Sequence, residues 1–591
     1  MRLSSFLFLS RERRADESKA SARGSRALRL ETLESREMLS LSPGSADYAA
    51  LVAAGSFVGD SPDAALWVDV LSDTTNAKDG KITLREAIDY AGTTVSGKTV
   101  SSTIRFRLGG DINLTRALSI GKDLTIDASD VASIALNRSG AGQVLYIYGG
   151  GTSGARNVSM IGIDVENGSG PNGAGIQLAA YCNLTATDCS VVGCVSNGGR
   201  GAGIYVTNGT LTLTRTNVEN NLASGASSGG AIYVEAGTLT IVDSNIVGNE
   251  AGDAGGVYVK RADVELNGVN FRGNVATSGS GGALLALDGT IAAQNVAFAE
   301  NSANYDGGAA YLVGADEAFA AFEGAIFTAN EASNGGAVRI YGMRTELRDC
   351  AFADSTASAA GGAVYIDDDA DVLIEGASFV GNVSSEDGGA IYNEGRLVAN
   401  GVRFEVNDAT RRGGALYTSG SLELRDGNFE GGAAAEGGAI YVDANIAGAE
   451  SWVLRSNFEG GEAEYGGAVY NAANLTVVQS TFAQNAAQFG GGAIYNENAL
   501  FVEDSSFSEN VATRVGGAIV NERGAVLAAT NSSFFGNVAQ LENGGAVANH
   551  GEANFSGLVF RDNAALEGFG GAIFNDETLT IQNSTVAANN A

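Results

Sequence analysis

The chain has 591 residues, 83 glycines, three prolines and a formal net charge of -32. That acidity argues against nucleic acid and anionic membrane surfaces as partners. The sequence also has no apolar run of about 18 residues, so no transmembrane segment is expected.

In chain order, the first element is a charged stretch over residues 11–40, rich in arginine and poor in aromatics. This composition predicts an export or targeting region over residues 1–62, mostly disordered or removed. Within it, Leu30-Glu-Thr-Leu-Glu-Ser-Arg-Glu-Met-Leu-Ser40 resembles the Leu-Glu-x-Arg-x-Leu-Leu region of large exported bacterial surface proteins, with Met38 at the first of the two final leucines. The resemblance implies export.

Residues 63–101 read as an N-terminal cap. Thr83 and Glu86 form a capping box, and Leu84, Ala87, Ile88 and Ala91 share one apolar face, so a short helix is predicted over 84–91. A calcium loop is the competing reading, because Asp79, Gly80, Ile82 and Glu86 match four of its places. Its first and third places would be Thr75 and Ala77, which carry no carboxylate. The segment resembles instead the Cys-Ser-Leu-Arg-Glu-Ala stretch that precedes many bacterial β-helices, with Ile82 and Thr83 in place of Cys and Ser. A helix laid over the first coil would cover an open sheet edge.

Thr103 to Leu108 and Leu124 to Ile126 alternate as strands do and open the first coils. Cys182, Cys189 and Cys194 fall close together, with Cys350 far away, a spacing that fits no common zinc site. Buried thiols are expected, a single bridge among the first three being the alternative.

From residue 200 onward one pattern recurs. The second glycine of each Gly-Gly pair, from Gly282 to Gly571, returns every 24 to 29 residues, and Phe-x-x-Asn keeps phase with it, as in Phe482/Asn485 and Phe507/Asn510. Apolar residues alternate within each unit, as in Leu422-Glu-Leu424, which excludes helical repeats. About 26 residues is too short for a propeller blade. Three strands and three turns fit, so residues 102–591 read as an all-β parallel β-helix of roughly 18 or 19 coils, with an axis of about 90 Å. No proline follows Pro171, as a stack of interior strands demands. The Gly-Gly pair is expected to enter a strand where φ is positive or where the backbone is too crowded for a Cβ. Phe should stack inward, and Asn should sit at a turn in the left-handed region, its amide bonded to its copies above and below.

This pair of motifs resembles the polymorphic outer membrane protein repeat, a passenger module of autotransporter adhesins. The resemblance covers roughly residues 200 to 591 and implies a right-handed parallel β-helix at the cell surface with an adhesive role. That family ends in a membrane barrel, a pattern the last residues of this chain do not carry, so the mode of anchoring stays open.

Three candidate sites emerge. Tyr365, Tyr392, Tyr417, Tyr441, Tyr470 and Tyr495 hold one place in their coils, each after an inward residue, so they should face outward and offer ring faces to sugars or proteins. The alternative is that the stacked tyrosines simply stabilise the sheet as cross-strand pairs. Asp367, Asp368, Asp369 and Asp371, with Arg339 one coil back, are the best cluster for calcium and a lyase-type base, or else a solvated loop. Asp367, Glu394, Asp443, Glu497, Glu522 and Asp576 form an acidic row that either attracts divalent cations or keeps the solenoid soluble. A pectinase-type hydrolase would need Gly-His-Gly, whereas the single histidine, His550, stands in Ala-Asn-His-Gly.

The expectation is a non-catalytic bacterial surface or secreted protein, adhesin-like, located at the outer membrane or outside the cell and binding extracellular carbohydrate or a surface protein. It needs no cofactor unless calcium occupies the aspartates. A calcium-dependent polysaccharide lyase and a structural envelope-layer protein, self-associating end to end, are the alternatives.

Overall fold

In a computed structural model, the described residues are 65–591 apart from 76–80, 96–97, 139, 150–153, 226–227, 316 and 445–449. The export-like segment Leu30 to Ser40, and Asp79 and Gly80 of the calcium-loop comparison, lie outside them. The fold is a parallel β-solenoid. One coil illustrates it: Ile494–Asn496 and Ala499–Glu503 lie on one face, Ser506–Ser508 on a second and Val511–Ala512 on a third. Each segment pairs in parallel, in register, with its copy one coil on, so Phe482, Phe507 and Phe534 are direct partners. The first face forms a 34-stranded sheet and the third a 16-stranded sheet. In the coils starting at Ile204, Ile232, Val257 and Leu284, the two first-face segments fuse into strands of 11 residues.

The glycine pair answers to both causes expected of it, one for each residue. Gly491 has φ +66°, while a Cβ on Gly492 would lie 2.1 Å from the Gly517 carbonyl oxygen. The corners around the second face are single residues with positive φ, such as Asp504 (48°) and Glu509 (55°). The left-handed residue is therefore the one before the asparagine. This differs from the expectation because Asn510 must keep its own amide in line for the ladder. Its N–H and Nδ2 both donate to Asn537 Oδ1, at 3.1 and 2.9 Å, and Nδ2 also reaches the Phe482 carbonyl at 2.9 Å. The same triple recurs at Asn249, Asn274, Asn382 and Asn537, all fully buried.

Inside, Phe271 to Phe560 stack in one column with ring centroids 4.6 to 5.1 Å apart. The aliphatic residue after Gly-Gly-Ala, such as Ile391, Ile494 or Ile519, is fully buried beside it. Burying one such phenylalanine contributes about 1.5 to 3 kcal/mol, and each stacked pair adds about 0.5 to 1.5 kcal/mol. Repetition of a modest term stabilises every coil in the same way.

At the N-terminal end, Leu84–Tyr90 forms the helix, with both bonds of the capping box present. Glu86 is buried and accepts from the Thr83 backbone at 3.0 Å, so its carboxylate serves the cap. Leu84, Ala87 and Ile88 join the core against Leu66–Val68, which itself pairs with Thr103–Phe106. Arg85 is buried too. Its guanidinium donates to both Asp73 oxygens and to the Arg116 and Ala117 carbonyls, and this full set of partners is what lets a cation sit there.

Candidate binding face

The tyrosine column follows the register exactly as a ladder must: Tyr365, Tyr392, Tyr417, Tyr441, Tyr470 and Tyr495 are successive partners. They lie outside the main core, but their rings stack on one another at 4.5 to 5.5 Å. Tyr417 and Tyr441 keep only 3% and 5% of their surface. The expectation of open ring faces therefore needs correcting. Each face is covered by the tyrosine of the next coil, because the 4.8 Å spacing that aligns identical rings also closes the gap between them.

The hydroxyls are committed as well. Tyr365 donates to Glu394 at 2.9 Å and Tyr495 to Glu522 at 2.7 Å, while Tyr392 reaches Glu394 and Tyr417 reaches Asp443. Burial first, then the adjacent carboxylates, pushes the ladder phenols above their ordinary range. Within the acidic row, Glu394, Asp443 and Glu522 accept hydrogen bonds from these phenols. The neighbouring Asn471, Asn496, Asn521 and Asn549 are buried and bonded in series at 2.6 to 2.7 Å.

The aspartate cluster is divided among separate partners. Arg339 takes the tyrosine place in its coil, lies 4.5 Å from the Tyr365 ring centroid, and holds Asp367 on one side and Asp306 on the other. Asp371 pairs with Arg396 at 2.7 Å, while Asp368 and Asp369 point to solvent. Among the described residues, no group of three or more His, Cys, Asp or Glu side chains is arranged to hold a metal ion. His550 meets Asp576 at 3.0 Å. All four cysteines are free and buried, and burial pushes the thiols of Cys189, Cys194 and Cys350 up to about 11, 12 and 11.

Side chains that do not repeat from coil to coil collect on the outer side of the second first-face segment. A cavity of about 470 Å³ lies there, with Arg396, Ser421, Glu423, Arg425, Glu450 and Trp452 around it. A second, of about 240 Å³, shares Arg396 and Val398 with it and extends to Arg344. A third, of about 310 Å³, lies on the same side near Asp263 and Glu265. Trp452 is 40% exposed and Phe501 47%. Their ladder partners are Glu423 and Thr476 for Trp452, and Thr476 and Ala528 for Phe501, so neither ring is covered by an identical neighbour. Sequence reading passed over this groove because its residues differ from coil to coil. The available signal was Trp452 itself, one of two tryptophans, placed by alternation opposite the inward Val453.

Geometry thus defines a parallel β-solenoid whose repeated rows are inward or self-covered. The family model described as the Chlamydia polymorphic membrane protein (Chlamydia_PMP) repeat matches residues 376–394 and 504–522. Each match runs from the Phe-x-x-Asn corner through Gly-Gly-Ala-Ile, as in Phe507, Asn510 and Gly516 to Ile519. At these two stretches the chain matches the repeat. Among solved structures it is similar to the crystal structure of PfbA, a surface adhesin of Streptococcus pneumoniae, at 9% identity over 85% of this chain and 91% of that one, with a TM-score of 0.15. No curated protein matches the chain.

Proposed function

We propose that this chain is a non-catalytic binding protein of the bacterial exterior, adhesin-like, presented at the cell surface or outer membrane or released, and recognising carbohydrate or protein. The observation that carries the reading is the division of labour in the solenoid. Rows that repeat are consumed in holding the coils together, whereas an outer face carries a groove lined by side chains that differ from coil to coil, an unstacked indole among them. The polymorphic membrane protein repeat supports a place at the cell exterior. Support for a non-catalytic role comes from Arg339. Its guanidinium is held between two carboxylates and a tyrosine ring, so losing its proton to act as a base would break both ion pairs.

The test is retention of the full chain on immobilised extracellular polysaccharides and matrix proteins, with new reducing ends scored in parallel, with and without calcium. Retention without chain cleavage is the expected result. Cleavage of any polysaccharide, or retention on none of the surfaces, would overturn the reading.

A further inference from the structure

Resting on that reading, we propose that the groove between Arg396 and Trp452 is a binding site for a neutral glycan chain, with the Trp452 indole as its platform. The volume of about 470 Å³ falls within the range of small-molecule sites. The adjoining cavity carries the groove on to Arg344, four coil steps away, or roughly 19 Å at strand spacing. That length takes a chain of sugars rather than a single ring.

Chemistry narrows the class. An exposed indole with no ring partner among the described residues offers an apolar face, and its Nε1 is fixed at the rim by Glu450 at 3.4 Å. Around it the charges come as exposed pairs, Arg396 with Asp371 and Arg425 with Glu423. Exposed pairs of this kind contribute little to folding, which leaves their polar atoms available to a ligand. Each pair sets an acceptor beside a fork of donors, which matches two adjacent sugar hydroxyls that donate and accept together. Arg344 at the far end offsets Glu450 beside the indole, so along the groove three arginines balance three carboxylates and the formal charge cancels. A groove without net charge gives a carboxylated or sulfated chain no attraction to offset the desolvation of its anions, a cost that a neutral chain does not carry. Ser421, between Arg396 and Trp452, adds a hydroxyl without charge.

The reporter is built in, because the chain has only two tryptophans. In a full-length Trp67→Phe background, Trp452 fluorescence is titrated with tetrasaccharides of β-linked glucose, mannose and N-acetylglucosamine, and with a uronic acid tetrasaccharide. A saturable change is expected with at least one neutral tetrasaccharide, little altered by added salt. In the full chain with Trp67 retained, Trp452→Ala should weaken retention on that immobilised sugar at least tenfold, leaving the melting temperature in place. Arg396→Met should weaken it several-fold. Three results would overturn the proposal: response to the uronic acid chain alone, full-strength neutral-sugar binding in the Trp452→Ala chain, or no response to any sugar. The broader reading survives each of these if the chain is still retained on an extracellular polymer or protein, so the two failures are distinguishable.

Discussion

At the scale of single residues, what each position tolerates is decided by the copy one coil away. A Cβ on Gly492 would meet the Gly517 carbonyl at 2.1 Å and Val511 backbone at 2.8 Å, atoms held by the ladder on both sides. Gly536, with φ +64°, has only the Glu509 side chain at 3.7 Å. Gly536→Ala should therefore cost only the left-handed penalty of about 1 to 2 kcal/mol. Gly492→Ala should cost clearly more, read as a larger drop in unfolding temperature and faster amide exchange in the flanking coils. The stacked tyrosines predict a pH effect. Tyr233 stacks between Tyr205 and Tyr258 at the same position in earlier coils. Burial first pushes it up to about 12 from the ordinary 10.0, and the phenols of the Tyr365 to Tyr495 ladder move the same way. Above pH 10.0 the unfolded chain releases phenolic protons that the folded chain keeps, so stability is full below that pH and falls as pH rises towards 12. Denaturation midpoints measured across this window should decline, with the buried phenols' share of the phenolate absorbance appearing as the chain opens. The inward Phe and the bonded Asn were legible in their spacing. The left-handed corner at Glu509 was not, because corner identity varies from coil to coil while only its conformation is shared.

Among elements, the first coil depends on a helix and the others on copies of themselves. Leu84 is 1% exposed, wedged with Ala87 and Ile88 against strands that have no further coil beneath them among the described residues. Leu84→Ala should destabilise this end by about 2 to 5 kcal/mol. In a solenoid each coil contacts mainly its neighbours, so the loss should stay local. Hydrogen exchange should rise across Leu66–Val68 and Thr103–Phe106 and stay unchanged at Ser506–Ser508; equal loss at both ends would contradict this. The capping box made the helix legible, since Thr83 and Glu86 announce it directly. The covering of the tyrosine faces was not. Alternation tells which side a residue takes, but whether its ring is free depends on the residue one coil away. The same comparison separates Trp452, flanked by Glu423 and Thr476, from Tyr417, flanked by Tyr392 and Tyr441.

For the molecule as a whole, a repeat of about 26 residues was enough to read the solenoid, because only a coil of three short faces fits that period with alternating apolar residues. Function was harder to read for the opposite reason. Repetition exposes what holds the fold, whereas the proposed groove is built from departures such as Arg396, Glu450 and Trp452. In the proposed division, the stacked rows are structural and the outer groove meets the partner. The most direct test of that division is a paired measurement of melting and of retention on the extracellular polymer that binds the unaltered chain, made for Tyr417→Ala and Trp452→Ala. Tyr417→Ala should lower stability by about 3 to 5 kcal/mol yet leave binding intact below its melting temperature, while Trp452→Ala should melt normally and lose retention. Retention lost in a normally melting Tyr417→Ala chain and kept in Trp452→Ala would contradict the division.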